Sequence, residues 1–305
     1  MTSSVSRLLL ALVLGSGVAP PATEAQQLAD QPVFRAGVDL VSVAVVVRDK
    51  QGRVVPALTR EDFIVLDGGE RRAIVDFQAD ARAPIGVALL IDASGSMPRD
   101  THVARRIGDR LLDLLDAGRD DAALMTFDTR LLVQRPFTSD IDAVRSGLFA
   151  IDPFGASSIY DAIAGAAGHV ADGTRKRRAL VVVTDGADNA SAYTPEAVAW
   201  IASTIDVPVY VLAVNASSSD ASEKQMSRRS ALAELAHATG GDFFLTDSAT
   251  AQQIAIGRLV EDLRHQYVMA FEPSTAPGLH RLEFETPNRA WKVRARRWYS
   301  ADASD

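Results

Sequence analysis

Asp92-Ala93-Ser94-Gly95-Ser96-Met97 places a carboxylate and two hydroxyls at alternate positions directly after an apolar run, residues 85–91. Such a run is the pattern of a strand buried on both faces. Side chains at the carboxyl end of such a strand open onto the crevice where α/β sheets bind ligands. An oxygen-only set of this kind suits a hard cation such as Mg²⁺, Mn²⁺ or Ca²⁺. Gly95 supplies the backbone freedom that Asp92, Ser94 and Ser96 need to converge. Two more loops have similar chemistry. Gly155-Ala156-Ser157-Ser158-Ile159-Tyr160-Asp161 stands before a helical pattern. Thr184-Asp185-Gly186-Ala187-Asp188-Asn189 follows a second apolar run, so Asp185 is placed like Asp92.

The elements that must position these loops follow a regular rhythm. From residue 84 strand-like runs (85–91, 122–127, 131–134, 179–184, 207–214, 243–245) alternate with helical ones (102–115, 141–149, 159–170, 195–203, 232–238, 251–265). Alternation of this kind predicts a parallel sheet with helices on both faces, doubly wound through right-handed crossovers. Before it, Val41, Val43, Val45 and Val47 keep strand period, Thr59 to Asp62 read as a capped turn, and residues 63–66 and 73–77 as a hairpin around Asp67-Gly68-Gly69. Strand period returns after Gln266, in Tyr267/Met269/Phe271, Leu282/Phe284 and Trp291/Val293/Ala295. Each tail has an apolar face that needs a cover. The two tails are therefore expected to cover each other as one small antiparallel β-sandwich, with the α/β domain inserted between its halves. The expected division is 38–80 and 266–300 for the sandwich and 84–265 for the inserted domain. By this reading 84–265 folds alone and 38–80 does not.

The first 25 residues read as an export signal. Arg7 precedes a short apolar run from Leu8 to Val18, and small residues at Ala22 and Ala25 resemble a cleavage site. The run is shorter than the ~20 apolar residues a bilayer needs. Residues 26–37 read as a linker. The expected location is outside the cytoplasm, periplasmic or secreted, with no transmembrane segment in the mature chain. The chain of 305 residues has no cysteine, which excludes disulfides, thiolate metal sites and a cysteine lipid anchor, and its net charge of −7 argues against a nucleic-acid partner.

The set Asp92-x-Ser94-x-Ser96, a hydroxyl at Ser157 and Asp185 in Thr-Asp-Gly resembles the metal-ion-dependent adhesion site of von Willebrand factor type A domains, over about residues 84–265. The flanking runs LLIDASGSM, SSIYDAI, RRALVVVTDGADN and VPVYVLAV carry the same likeness. The whole chain resembles a bacterial group described as von Willebrand factor A-related, in which VVVRDKQGRVVPALTREDFIVLDGG precedes the domain. The resemblance implies a Rossmann-like fold and a divalent cation, Mg²⁺ first. Ser94 and Ser96 would bind it directly, Asp92 and Asp185 would act largely through water, and an open position would take an acidic group from a partner protein or other acidic ligand. The family usually has Thr where this chain has Ser157; Ser keeps the hydroxyl. Met97, Ser158, Tyr160, Asp188 and Asn189 are the candidate rim of the ligand site. In related domains the last helix slides on ligand engagement, and here residues 251–265 run straight into the strand at Tyr267.

Two alternatives stand beside the binding module: a scaffold using the fold without metal, and a metal-assisted hydrolase. The second is disfavoured, since the hydroxyl-rich set offers no clear general base; a Ser/His/Asp hydrolase is disfavoured by only 5 histidines and no Gly-x-Ser-x-Gly elbow. The basic run 175–178 reads as a solvated turn. Lys292, Arg294 and Arg296 read as the wet face of a strand, and Trp291, Trp298 and Tyr299 as core or rim of the sandwich.

Overall fold

The computed structural model describes residues 40–97, 100–152, 155–214 and 223–301. The expected signal (1–25) and linker (26–37) lie outside them. In chain order the amino-terminal strands are β1 (Val41–Arg48), β2 (Ile64–Asp67), β3 (Glu70–Arg72) and β4 (Ile74–Gln78). The α/β part follows as β5 (Ile85–Asp92), α1 (Thr101–Leu112), β6 (Asp121–Phe127), β7 (Leu131–Thr138), α2 (Ile141–Phe149), α3 (Ile159–Ala171), β8 (Arg177–Thr184), α4 (Pro195–Thr204), β9 (Val209–Ala213), α5 (Glu223–Ala238), β10 (Phe243–Leu245) and α6 (Ala249–His265). The chain ends in β11 (Tyr267–Phe271), β12 (Gly278–Glu285), β13 (Lys292–Arg294) and β14 (Trp298–Ala301).

The α/β sheet has the order β10-β9-β8-β5-β6-β7. All neighbours are parallel except β6 and β7. All eight residues of β5 are buried, and their alternation divides them between two cores. Ile85, Val87, Leu89 and Ile91 join the cluster that includes Ile107, Leu111, Leu148 and Leu259, under α1, α2 and α6. Ala88 and Leu90 join Ile163, Ala166, Val198 and Leu235, under α3, α4 and α5. Strand order reverses between β5 and β8, because the chain leaves β5 toward β6 on one side and returns to β8 on the other. The crevice for a ligand therefore opens at the carboxyl ends of these two strands.

The two tails form the sandwich together. One sheet has the order β13-β1-β11-β4, the other β14-β12-β2-β3. Each mixes strands from both ends of the chain, as in Val43 opposite Met269 and Val65 opposite Phe284. Val43, Val45, Phe63, Val65, Met269, Phe271, Leu282 and Tyr299 share one core between the sheets.

Several expectations need correction. Residues 73–77 do not close a hairpin on 63–66: β2 turns at Gly68-Gly69 into β3, and β4 crosses to pair with β11. The alternation of residues 73–77 cannot say which sheet receives them. Strand β7 is longer than expected and α5 starts at Glu223. The basic run is not a solvated turn. Arg175 binds Asp121 through Nε at 2.6 Å, and Arg177 is 2% exposed, donating to the carbonyls of Asp80 and Arg264 (the latter at 2.8 Å). Nor do Arg294 and Arg296 face water. Arg294 Nη1 binds Asp242 at 2.6 Å and Nη2 binds Asp262, while Arg296 donates to the carbonyls of Ser42 and Ser203, each at 2.6 Å. They join the sandwich to the α/β part. Lys292 alone of the three is exposed. Among the described residues no helix is long and apolar enough to cross a membrane.

Candidate metal centre

Three loops meet at the reversal point, each fixed by backbone bonds. The first follows β5. Asp92 is 1% exposed, and its Oδ1 accepts from Ser94 N at 3.0 Å, which turns the chain. Gly95 N donates to Gly155 O at 2.7 Å, tying the first loop to the second. A Cβ at Gly95 would lie 2.9 Å from that same carbonyl oxygen. Glycine is required here by the closeness of two backbones, beyond the turn itself.

The second loop leads into α3 and is held by the third. Ser157 N donates to Asn189 Oδ1 at 3.0 Å, and Ser157 O accepts from Asn189 N and Ala190 N, both at 3.0 Å. The first amides of a helix lack partners within it. Here Asp188 Oδ1 takes Ile159 N and Ser191 Oγ takes Tyr160 N, each at 3.0 Å. A carboxylate also suits the positive end of the helix. Asp161, from the first turn of α3, accepts in return from Ala192 N and Tyr193 N.

The hydroxyls and carboxylates then sort by what they bind. Ser94 Oγ and Ser96 Oγ lie 3.0 Å apart. Thr184 Oγ1 donates to Asp92 Oδ2 at 2.6 Å and accepts from Gly186 N at 3.0 Å. Burial pushes the Asp92 carboxyl up to about 6 against the hydrogen bonds from Thr184 and Ser94, and the neighbouring charge of Asp185 raises it further. Asp185 is half-buried and accepts from Ala187 N at 2.8 Å. Ser157 Oγ is buried and has no hydrogen-bond partner.

These features fit a divalent cation. Two carboxylates that repel each other, a pair of adjacent serine hydroxyls and a buried hydroxyl without a partner are what a hard cation would satisfy. An unpartnered buried hydroxyl costs about 1–3 kcal/mol. Among the described residues no group of three or more His, Asp or Glu side chains is arranged to hold a metal; the two carboxylates here are accompanied by hydroxyls. Asp92, Ser94, Ser96, Ser157 and Asp185 would hold the ion, which would offer a Lewis-acidic position to an oxygen ligand.

The expected rim is only partly a surface. Met97 is fully buried in the core beneath its loop. Ser158 and Tyr160 are also buried, Ser158 N bonding Asp128 O at 2.8 Å. These three support the loops from below, because the turn after β5 and the first turn of α3 point them inward. Asp188 is committed to Ser191 at 2.6 Å and to the end of α3. Asn189 is exposed. Sequence reading passed over Thr184, which sets Asp92. Its signal was available: it ends β8 as Asp92 ends β5, and the register Ile91 opposite Val183 makes the two neighbours. Asp128 was also missed; its carbonyl anchors Ser158, and only the fold brings it there.

Residues 87–187 match the family model described as the von Willebrand factor type A domain. The chain is similar to the solved structure of the conserved hypothetical protein BatB from Bacteroides thetaiotaomicron, at 22% identity and a TM-score of 0.48, covering 58% of this chain and 98% of that one. It is similar to an aerotolerance-related membrane protein from Bacteroides fragilis, at 23% identity and a TM-score of 0.48, over 58% and 98%. A von Willebrand factor type A protein from Catenulispora acidiphila has 11% identity and a TM-score of 0.50, over 87% of this chain and 76% of that one. This last likeness is one of fold. No curated protein matches the chain.

Proposed function

With residues 87–187 a von Willebrand factor type A domain, we propose that the protein is an exported, non-catalytic binding module that captures an acidic partner through a divalent cation. Asp92, Ser94, Ser96, Ser157 and Asp185 hold the cation, Mg²⁺ before Mn²⁺ or Ca²⁺. Two carboxylates nearly neutralise the ion, and a carboxylate from the partner completes its shell. The observation that carries this reading is the buried Ser157 hydroxyl, unpartnered although both backbone groups of the same residue are bonded. A hydroxyl kept only for structure would be bonded as Thr184 is.

The binding reading is preferred over hydrolysis because the candidate ligands are two carboxylates and three hydroxyls, with no separate general base among them. Export rests on the signal-like residues 1–25, with the periplasm or the exterior as destination.

Calorimetric titration with Mg²⁺ and Mn²⁺ tests the proposal, beside the double variant Asp92→Ala/Asp185→Ala. The expected result is binding heat in the wild type that vanishes in the variant, and capture of acidic partners that EDTA abolishes. Heat in neither protein would overturn the metal reading in favour of a scaffold that uses the fold without metal.

A further inference from the structure

Away from the loops that carry Asp92 and Asp185, a cleft of about 700 Å³ opens between the edge of the sandwich and the α/β part. Arg48 organises it. Its Nη1 donates to Gly52 O at 2.5 Å and its Nη2 to Arg258 O at 3.2 Å, which holds the turn after β1 against α6. Lys50 lies in that turn. The Arg258 side chain reaches over it, Nη2 lying 3.7 Å from where a Cβ on Gly52 would be. Lys292 stands opposite Arg48 in the β1–β13 register. Lys50, Arg258 and Lys292 are exposed, and no ion pair occupies any of them among the described residues. The acids lining the cleft are already taken: Asp49 by Arg53 at 2.7 Å and Asp242 by Arg294 at 2.6 Å.

The cleft is also lined by Leu282, Phe284 and Val293, which belong to or pack against the sandwich core. β13, which supplies Val293, is the outermost strand of its sheet, and among the described residues its outer edge has no strand partner. A free strand edge binds extended peptides through main-chain hydrogen bonds. A strand turns alternate side chains to opposite faces. Unpaired cations and apolar side chains beside an edge strand therefore match an extended segment that alternates acidic and apolar residues.

We propose that this cleft is a second, metal-independent docking site for an extended acidic peptide segment of a partner, with acidic side chains on Lys50, Arg258 and Lys292 and apolar ones on Phe284 and Val293. Three unpaired cations on a chain of net charge −7 form a local field opposite in sign to the rest of the molecule.

The test is fluorescence anisotropy of a labelled Glu-Val-Glu-Val-Glu-Val peptide with the full chain in EDTA, which silences the metal centre. Binding is expected, weakened as ionic strength rises from about 0.05 to about 0.5 M. The Lys50→Glu/Arg258→Glu/Lys292→Glu variant should lose about tenfold or more in affinity. The milder Lys50→Gln/Lys292→Gln variant should lose part of it, and answers the question if the triple variant fails to fold. Asp92→Ala/Asp185→Ala should bind as wild type, which separates this site from the metal centre. No binding by the wild type, or equal binding by the charge variants, would overturn the proposal. So would loss of binding in Asp92→Ala/Asp185→Ala, or binding of polygalacturonate in place of the peptide.

Discussion

Arg48 Nε donates to Asp262 Oδ1 at 2.9 Å, joining residues 214 positions apart in the chain. Arg48 leaves the first strand of the sandwich, and Asp262 sits 1% exposed in the last turns of α6. Arg294 binds the other oxygen of the same carboxylate. A single buried charge thus fastens both halves of the sandwich to the helix that leads into β11. Removing Asp262 leaves Arg48 with Glu261 and Arg294 with Asp242, so the cost is that of the lost charged hydrogen bonds, about 1.5–3 kcal/mol. Asp262→Ala should lose stability on that scale in urea unfolding; a loss below about 1 kcal/mol would show that water reaches the arginines and that the fastening is weak.

Ser157→Ala separates structure from ligation. The hydroxyl has no partner, so its removal should leave metal-free stability unchanged or raise it by up to about 1 kcal/mol. If Ser157 is a ligand, the same change should weaken Mg²⁺ binding about tenfold or more. Thermal unfolding in EDTA and calorimetry in Mg²⁺ read the two effects. Unchanged metal affinity would remove Ser157 from the ligand set.

Gly95→Ala should damage the site through its backbone. The new Cβ would meet Gly155 O at 2.9 Å and strain the 2.7 Å bond between these loops. Neither backbone can retreat without moving one of the candidate site's loops. A stability loss of about 1–3 kcal/mol with weakened Mg²⁺ binding is expected, by unfolding and calorimetry; a variant that keeps both would mean that the loops move independently.

Acid should attack the end of the sheet opposite the candidate metal site. Asp120 accepts from Ile85 N at 3.0 Å, Asp116 N at 2.8 Å and the Arg264 guanidinium. Burial raises its carboxyl, but these bonds outweigh burial and hold it below the usual range. A depressed folded value contributes stability that is full above the unfolded value, roughly 3.9, and is lost as pH falls through the folded one. Wild-type Tm should therefore drop steeply below about pH 4, and Asp120→Asn, less stable at neutral pH, should show a shallower acid limb. Parallel acid limbs would assign the loss to other carboxylates.

Residues 38–80 alone should stay unfolded by circular dichroism, since β1 needs β11 and β13, β2 needs β12, and β4 needs β11. Residues 84–265 contain a whole sheet and both of its cores, and should fold cooperatively, weakened by the loss of Arg48 and Arg294 around Asp262. A folded 38–80 or an unfolded 84–265 would sink the two-part division.

Sequence by itself determined what local pattern and chemistry determine. The unbroken apolar run of β5 announced a doubly covered strand, because only a strand buried on both faces tolerates no polar alternation. Asp92 and Asp185, each directly after an apolar run, and the hydroxyl loops announced the crevice, because ligand chemistry sits on short segments. The apolar faces of the two tails announced that they need each other. The tertiary structure alone decided what depends on partners distant in the chain. Arg294 and Arg296 read as a wet face because period-2 alternation says which residues share a side and never what packs against that side. The surface they meet belongs to Asp242, Asp262 and Ser203, from elements many residues away. Met97 and Tyr160 read as rim for the same reason: a loop's direction is set by the bonds that hold it, such as Gly95 to Gly155 and Ile159 to Asp188, and those bonds exist only once the strands have brought three separate loops together.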